Sequence, residues 1–384
     1  MKLGTYLQHV TYSQLKIHNS LTIQMNFTEQ NILDTLSTVQ EPDLKKDLVT
    51  LKMIRNVKVE ENNVQFTVVL TTPACPLKEK IRKDCEDAIL KIMPNAVITI
   101  DMIAEVTTSS GNRPKVSNIK NIIAVASGKG GVGKSTVTAN LALALASQGA
   151  RVGIIDADIY GPSIPIMFGV VDAQPDISVI DGREYIVPIE KMGIKIISMG
   201  FLSPSENAVV WRGPMASKAL KQFLTDTYWG ELDYLFVDMP PGTGDIHLTL
   251  VESIPVTGVV IVTTPQKVAI ADAIKGLKMF RQPQTNVPIL GIVENMSYFT
   301  PAELPNNKYY IFGQDGGKVF AERYEAPFLG EIPLVQGIRE SGDMGVPSIA
   351  NTNDTITAAA FMAISEALAQ QIAICNAQET PSNM

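Results

Sequence analysis

Ser127-Gly128-Lys129-Gly130-Gly131-Val132-Gly133-Lys134-Ser135-Thr136 decides how this chain folds. The apolar run Ile122-Ile123-Ala124-Val125-Ala126 before it reads as a buried strand, and the Ala/Leu-rich stretch Val137 to Ser147 after it reads as a helix. The segment therefore fits G-x-x-x-x-G-K-[ST] in a strand–loop–helix setting, the phosphate-binding P-loop. Its glycines let backbone N–H groups approach a phosphate that a Cβ would obstruct. The following helix opens with unpaired N–H donors and a partial positive charge aimed at the same anion. Gly128 to Thr136 is thus the expected ATP cradle, with Lys134 on the β/γ-phosphates and the Ser135 hydroxyl on Mg²⁺.

The 384 residues are 45% hydrophobic and 18% charged, with net charge -7. The length predicts two or three domains in an ordinary globular protein. The acidic balance argues against nucleic acid as the main partner. No apolar run reads as long enough to span a bilayer, no secretory signal is visible, and three cysteines suit a cytoplasmic protein with free thiols.

Residues 1–27 read as an N-terminal extension without a clear period. Met25 is an alternative start that mass spectrometry of the native N-terminus would test. Residues 28–106 read as a small α+β domain. Ile32, Leu33, Leu36 and Val39 fit one helix face, and Val57–Val59 and Val64–Leu70 are strands around Glu61-Asn62-Asn63. Pro76 to Met93 is a helix, and Ala96 to Val106 a last strand. Residues 107–118 are a polar linker. Residues 119–372 alternate strands with helices, the strands being Ile122–Ala126, Val152–Asp156, Ile194–Met199, Tyr234–Asp238, Val259–Thr263, Ile289–Val293 and Phe328–Gly330. That alternation predicts an α/β fold: a doubly wound, mostly parallel P-loop ATPase sheet preceded by the small α+β domain. Residues 373–384 read as a C-terminal tail.

In such a sheet, ligands collect beyond the carboxyl ends of the strands. Asp156 and Asp158 end one strand; two acids there can order a metal's water and an attacking water, or form a solvated acidic turn. Asp238 ends the apolar strand Tyr234–Val237, the Walker B arrangement for Mg²⁺. The glycine-rich run 239–244 after it permits a loop that senses the γ-phosphate. Asn295 follows the strand Ile289–Val293 closely. Its amide can read an adenine edge or simply close a strand.

Lys129-Gly-Gly-Val-Gly-Lys-Ser-Thr136 resembles the deviant Walker A loop of the ParA/MinD/ArsA/NifH class of ATPases. That resemblance implies that Lys129 reaches a partner's nucleotide across a homodimer, that Asp158 activates water with Asp156 near the metal, and that Asn295 contacts the base. Asp156-to-Ser163 (DADIYGPS), Trp211-Arg212-Gly213-Pro214-Met215, Asp238-to-Asp245 (DMPPGTGD) and Ile332-Pro333-Leu334 through Ile338-to-Asp343 (IRESGD) narrow it further. Together they resemble the Mrp/ApbC family of iron–sulfur cluster carriers with ATPase activity. The first domain, marked by Thr71-Thr72-Pro73-Ala74-Cys75-Pro76, resembles the iron–sulfur-assembly domain often fused to that family. The implied cofactors are ATP, Mg²⁺ and a [4Fe–4S] cluster, and the implied partners are a second copy and apo iron–sulfur client proteins. No nucleic acid and no membrane partner are implied.

One departure stands out. The family's Cys-x-x-Cys pair, expected shortly after Asn295, is absent from Ser297-Tyr298-Phe299-Thr300-Pro301-Ala302-Glu303-Leu304-Pro305. Of the remaining cysteines, Cys85 and Cys375 read as packing residues. Cys75 precedes Pro76, which favours the first position of a helix, and would sit near an N-cap that lowers a thiol's pKa. It is either a cluster-transfer thiol or a helix-start residue. The other functional reading is a cluster-free, nucleotide-switched scaffold or positioning ATPase of the MinD/ParA class.

Overall fold

The computed structural model describes residues 27–108, 116, 118–159, 161–202, 213–301, 303–304, 306–351 and 355–378. Residues 1–26 of the expected 1–27 extension, most of the linker, Tyr160, Trp211 and Arg212 lie outside the described residues.

The small unit begins with α1 (Glu29–Leu36), capped by Thr28, whose hydroxyl accepts from the Asn31 N–H. A two-residue ladder, β1 (Gln40–Glu41) and β2 (Lys46–Asp47), leads to β3 (Ile54–Glu60) and β4 (Asn63–Leu70). The crossover helix α2 (Lys78–Ile92) then carries the chain to β5 (Val97–Ala104). β4 pairs with β3 antiparallel and with β5 parallel. Ile32, Leu36, Val64, Phe66, Val68, Ile81, Cys85 and Ile89 form this unit's own core. The helix expected from Pro76 starts two residues later, with Leu77 as its N-cap. Cys75 is therefore not at the cap, because the turn through Pro76 and Leu77 has to finish first.

The large unit continues with β6 (Ile119–Ser127), α3 (Lys134–Ser147), β7 (Val152–Asp156), α4 (Ile164–Met167), β8 (Asp176–Ile180), β9 (Arg183–Val187), β10 (Ile189–Lys191) and β11 (Ile194–Ser198). It goes on through α5 (Gly213–Thr225), β12 (Leu232–Asp238), α6 (Asp245–Ser253), β13 (Gly258–Thr263), α7 (Lys267–Phe280) and β14 (Ile289–Asn295). It closes with α8 (Gly316–Arg323), β15 (Phe328–Ile332), α9 (Gln336–Asp343) and α10 (Thr355–Gln378). One sheet runs β10-β11-β7-β12-β6-β13-β14-β15, parallel throughout except where β10 joins as an antiparallel edge.

Because successive strand side chains point to opposite faces, a strand covered on both sides must be apolar at every position. In β6, Ile122, Ala124 and Ala126 enter a core with α5, α6, α7 and α8. Ile123 and Val125 enter a second core with α3 and α10. The sheet is doubly wound, as the alternation predicts. The hairpin β8–β9 was not expected; it turns at Asp181-Gly182, both at positive φ, the Asp-Gly pattern of a tight hairpin.

Two expectations about the chain's last part are corrected. Residues 373–378 are not tail but the end of α10, so Cys375 is helical and half-buried. α10 is also long and apolar enough, by length and composition alone, to cross a bilayer. Here Phe361, Ile364, Leu368, Ala369 and Ile372 pack it onto the sheet. The two units touch: Tyr234 Oη donates to Thr72 Oγ1 at 3.0 Å, and Gln370 Nε2 to Asp43 Oδ1 at 2.5 Å.

Candidate functional site

The parallel register sets the site. β7, β12 and β6 run side by side, with Asp238 level with Asp156 on one flank and Val125 on the other. The carboxyl ends of these strands therefore open at one level, where the glycine-rich loop leaves β6.

Gly133 is the N-cap of α3 in the left-handed region, φ 84°. It turns the chain so sharply that α3 starts at Lys134, three residues before the expected Val137. A Cβ there would overlap the Asn295 amide nitrogen. Gly128 meets a different limit: a Cβ would run into the α7 backbone at Asp272 and Ala273. The loop is thus shaped by its own dihedrals at one end and by close backbone packing at the other.

Lys134 is 6% exposed and Asp238 fully buried. Lys134 Nζ donates to Asp238 Oδ2 at 2.7 Å and lies 3.9 Å from Asp158 Oδ2. Ser135 Oγ donates to the same Asp238 oxygen at 2.5 Å, and Thr138 Oγ1 to Oδ1 at 2.7 Å. A buried carboxylate is tolerable only when paired and hydrogen-bonded, and this one meets an ammonium and two hydroxyls.

The neighbouring acids differ. Asp156 is turned inward. Its Oδ1 accepts from the Asp158 N–H, and its Oδ2 from the Ile164 N–H and Ser198 Oγ. Burial first, then the nearby Asp238 carboxylate, push its pKa up to about 7. Asp158 Oδ1 accepts from the Gly161 N–H while Oδ2 faces Lys134. Asn295 Nδ2 donates to the Val132 carbonyl at 2.9 Å, so this amide lies against the loop. Beside it, a cavity of about 280 Å³ is lined by Thr136, Asn295, Met296, Leu334, Ile338 and Arg339, among others. A flat heteroaromatic base fits such a mostly apolar slot with a few polar edges. Lys129 is half-buried on the loop, and its carbonyl accepts from Ser127 Oγ.

The structure therefore brings together Gly128 to Thr136, Asp156, Asp158, Asp238 and Asn295. It leaves Cys75 apart, in the small unit beside α10. Burial, then the carboxylates Glu41, Asp43 and Glu366, raise the Cys75 thiol's pKa, the opposite of the lowering expected from an N-cap. Cys85, in the small core, is pushed up to about 12. Among the described residues, no group of three or more His, Cys, Asp or Glu stands together as a metal cage.

Sequence reading missed three contributors. Thr138 lies one helical turn after Lys134, a spacing that could have revealed it. Ser198 ends β11, whose edge-ward neighbours were not foreseen. His247, in the first turn of α6, is 1% exposed, and its ring meets the Pro240 carbonyl at 2.8 Å and the Gly244 carbonyl at 3.3 Å.

A family model described as a ParA-type NUBPL iron-transfer P-loop NTPase matches residues 118–369. A second, described as an iron–sulfur cluster assembly protein, matches residues 29–102. An iron–sulfur cluster carrier protein of Synechocystis is 48% identical over 349 residues, 90% of this chain and 98% of the relative. Another, of Deinococcus radiodurans, is 45% identical, covering 92% of this chain and 98% of its own. A solved nucleotide-binding protein of Archaeoglobus fulgidus, in complex with ADP, is 40% identical and aligns with TM-score 0.53 over 61% of this chain and 89% of that one.

Proposed function

The chain belongs to the ParA-type iron-transfer P-loop NTPases, and from that premise we propose that it is an ATP-hydrolysing iron–sulfur cluster carrier. It works as a cytoplasmic homodimer that hands clusters to apo-proteins. The observation that carries the ATPase half is the buried Lys134 ammonium set between Asp238 and Asp158, with Ser135 on the same Asp238 oxygen.

The loop N–H groups and the start of α3 take the phosphates, and the Lys134 ammonium neutralises them. Ser135 Oγ and Asp238, with Asp156 behind, form an oxygen-rich donor set suited to Mg²⁺. When bound, the ion supplies further neutralisation of phosphate charge. Asp158, whose Oδ2 lies 3.9 Å from the Lys134 ammonium, orients the attacking water. Asn295 and the slot beside it hold the base. Lys129 reaches the partner's phosphates, which couples turnover to dimer closure. Little covalent work falls to the protein; positioning and charge do most of it.

The cluster is cargo. One chain offers three cysteines in three separate settings, so it does not supply four thiolates to one cluster. Cys75, half-buried on the small unit, is the candidate thiol, completed by a second copy or the client. Anaerobic reconstitution with iron and sulfide, followed by metal analysis and transfer to an apo-protein, tests this. The expected result is bound, transferable iron that falls sharply in Cys75→Ser. The missing Cys-x-x-Cys favours one other reading, a cluster-free positioning ATPase. No iron and no transfer with ATP turnover intact would establish that reading instead.

A further inference from the structure

His247 is buried beneath the loop that joins β12 to α6, and both ring nitrogens face backbone carbonyls: Nε2 that of Pro240, Nδ1 that of Gly244. A neutral imidazole has one N–H and can serve one carbonyl; an imidazolium has two and serves both. The rest of the loop is pinned elsewhere. The Asp238 carbonyl accepts from the Ala157 N–H, and the Gly242 N–H donates to the Ser127 carbonyl at the start of the phosphate loop. A Cβ added at Gly130 would meet the Pro241 ring at 3.9 Å. The stretch from Pro240 to Gly244 is therefore the wall of the phosphate site, and His247 is the side chain that ties its two ends together.

We propose that His247 is a positioning residue whose protonation, on arrival of the anionic phosphates, clasps this loop shut through the Pro240 and Gly244 carbonyls. The proposal rests on the ATPase reading. The charged groups that act on the ring are Lys134 of α3, which opposes the imidazolium, and Asp158 of the loop after β7, which favours it. Burial is the largest influence and holds the group below its ordinary range. Phosphates bound against Lys134 cancel the charge that opposes the imidazolium. ATP loading is then accompanied by proton uptake at a residue that touches no nucleotide atom.

Calorimetry of ATP binding in two buffers of different ionisation enthalpy, near pH 6.5, reads this uptake directly. The wild type should take up as much as one proton more than His247→Gln, whose amide donates without titrating, because Asp156 and the ATP γ-phosphate contribute equally to both. In steady state, kcat should fall about tenfold or more in His247→Ala, the effect of losing the two positioning hydrogen bonds of the clasp, with KM for ATP within about twofold. His247→Gln should recover most of that loss and lack the wild type's decline in kcat as pH rises through the His247 range. Equal proton uptake in wild type and His247→Gln overturns the proposal and leaves the ATPase reading standing. Wild-type protein that binds ATP without hydrolysing it overturns both.

Discussion

The phosphate end of the large sheet and the neighbourhood of Cys75 hold their reactive groups in opposite ways. At the phosphate end, one ammonium, three carboxylates and several hydroxyls are buried together, each answering another. Around Cys75, one thiol is half-buried, and burial first, then nearby acidic groups, raise its pKa. The buried groups of the first region satisfy one another within one chain; the second offers a single thiol, and the cluster proposed for it would take its other ligands from another molecule. In a carrier this division has a use. On the proposed reading, the ATP chemistry stays in the buried region while the thiol remains open to exchange.

Removing the charge balance at the phosphate end should produce the largest effect. Lys134→Ala leaves the buried Asp238 carboxylate without its ion pair. ATP turnover should drop about 10³-fold or more, the scale of losing a preorganised charge contact in a water-poor site. Folding stability should fall by about 3 kcal/mol from the unpaired buried charge. ATPase assays and denaturant unfolding measure the two. Unchanged turnover would place the chemistry elsewhere and erase the contrast.

Two glycines of one loop sharpen it next. Gly128→Ala forces a methyl into the α7 backbone and should cost about 3 kcal/mol. Gly130→Ala meets only ordinary contact with Pro241 and should cost less than about 0.5 kcal/mol. Thermal unfolding of the pair distinguishes a loop fixed by packing from one that is merely flexible.

A third measurement uses Asp156. Its folded pKa, about 7, lies above the ordinary carboxyl value of 3.8. Between those values the native state holds a proton that the unfolded chain has released, so this group's stabilisation is lost as pH rises from about 4 to 7. Asp156→Asn should flatten that slope in urea titrations across the same window.

The smallest expected change lies at the junction. Tyr234→Phe removes the hydrogen bond to Thr72 and should cost about 1 kcal/mol with ATP turnover unaffected. A change in turnover would mean that the two regions are coupled through β12.

The fold of the large unit was legible because burial on both faces writes uninterrupted apolar strands, as in β6, β7 and β12, and these need no partner to be recognised. The P-loop was legible because its glycines meet limits that only glycine satisfies. The β8–β9 hairpin was overlooked although Asp181-Gly182 announces its turn. Its outward residues Ile177 and Val179 are exposed, so hydrophobicity there does not track a core. The division of labour between Asp156 and Asp158 could not be read from spacing. It depends on Ser198 and Ile164, which belong to other elements. The misjudged start of α2 came from trusting Pro76 as the first helical residue, where the chain needs one more turn. His247 escaped notice because a single histidine in a helix carries no pattern; its meaning lies in two carbonyls that only the folded loop supplies.

The packing of α10 over α3 has a consequence for synthesis. Residues emerge from the ribosome in chain order, and domains begin to fold as they appear. The phosphate loop and its helix leave more than two hundred residues before Phe361, Ile364 and Leu368, which cover that helix. A nascent chain halted before α10 carries the whole ATP motif with one face of its supporting helix uncovered. Such a chain exposes apolar surface of the kind that favours aggregation until the last helix docks.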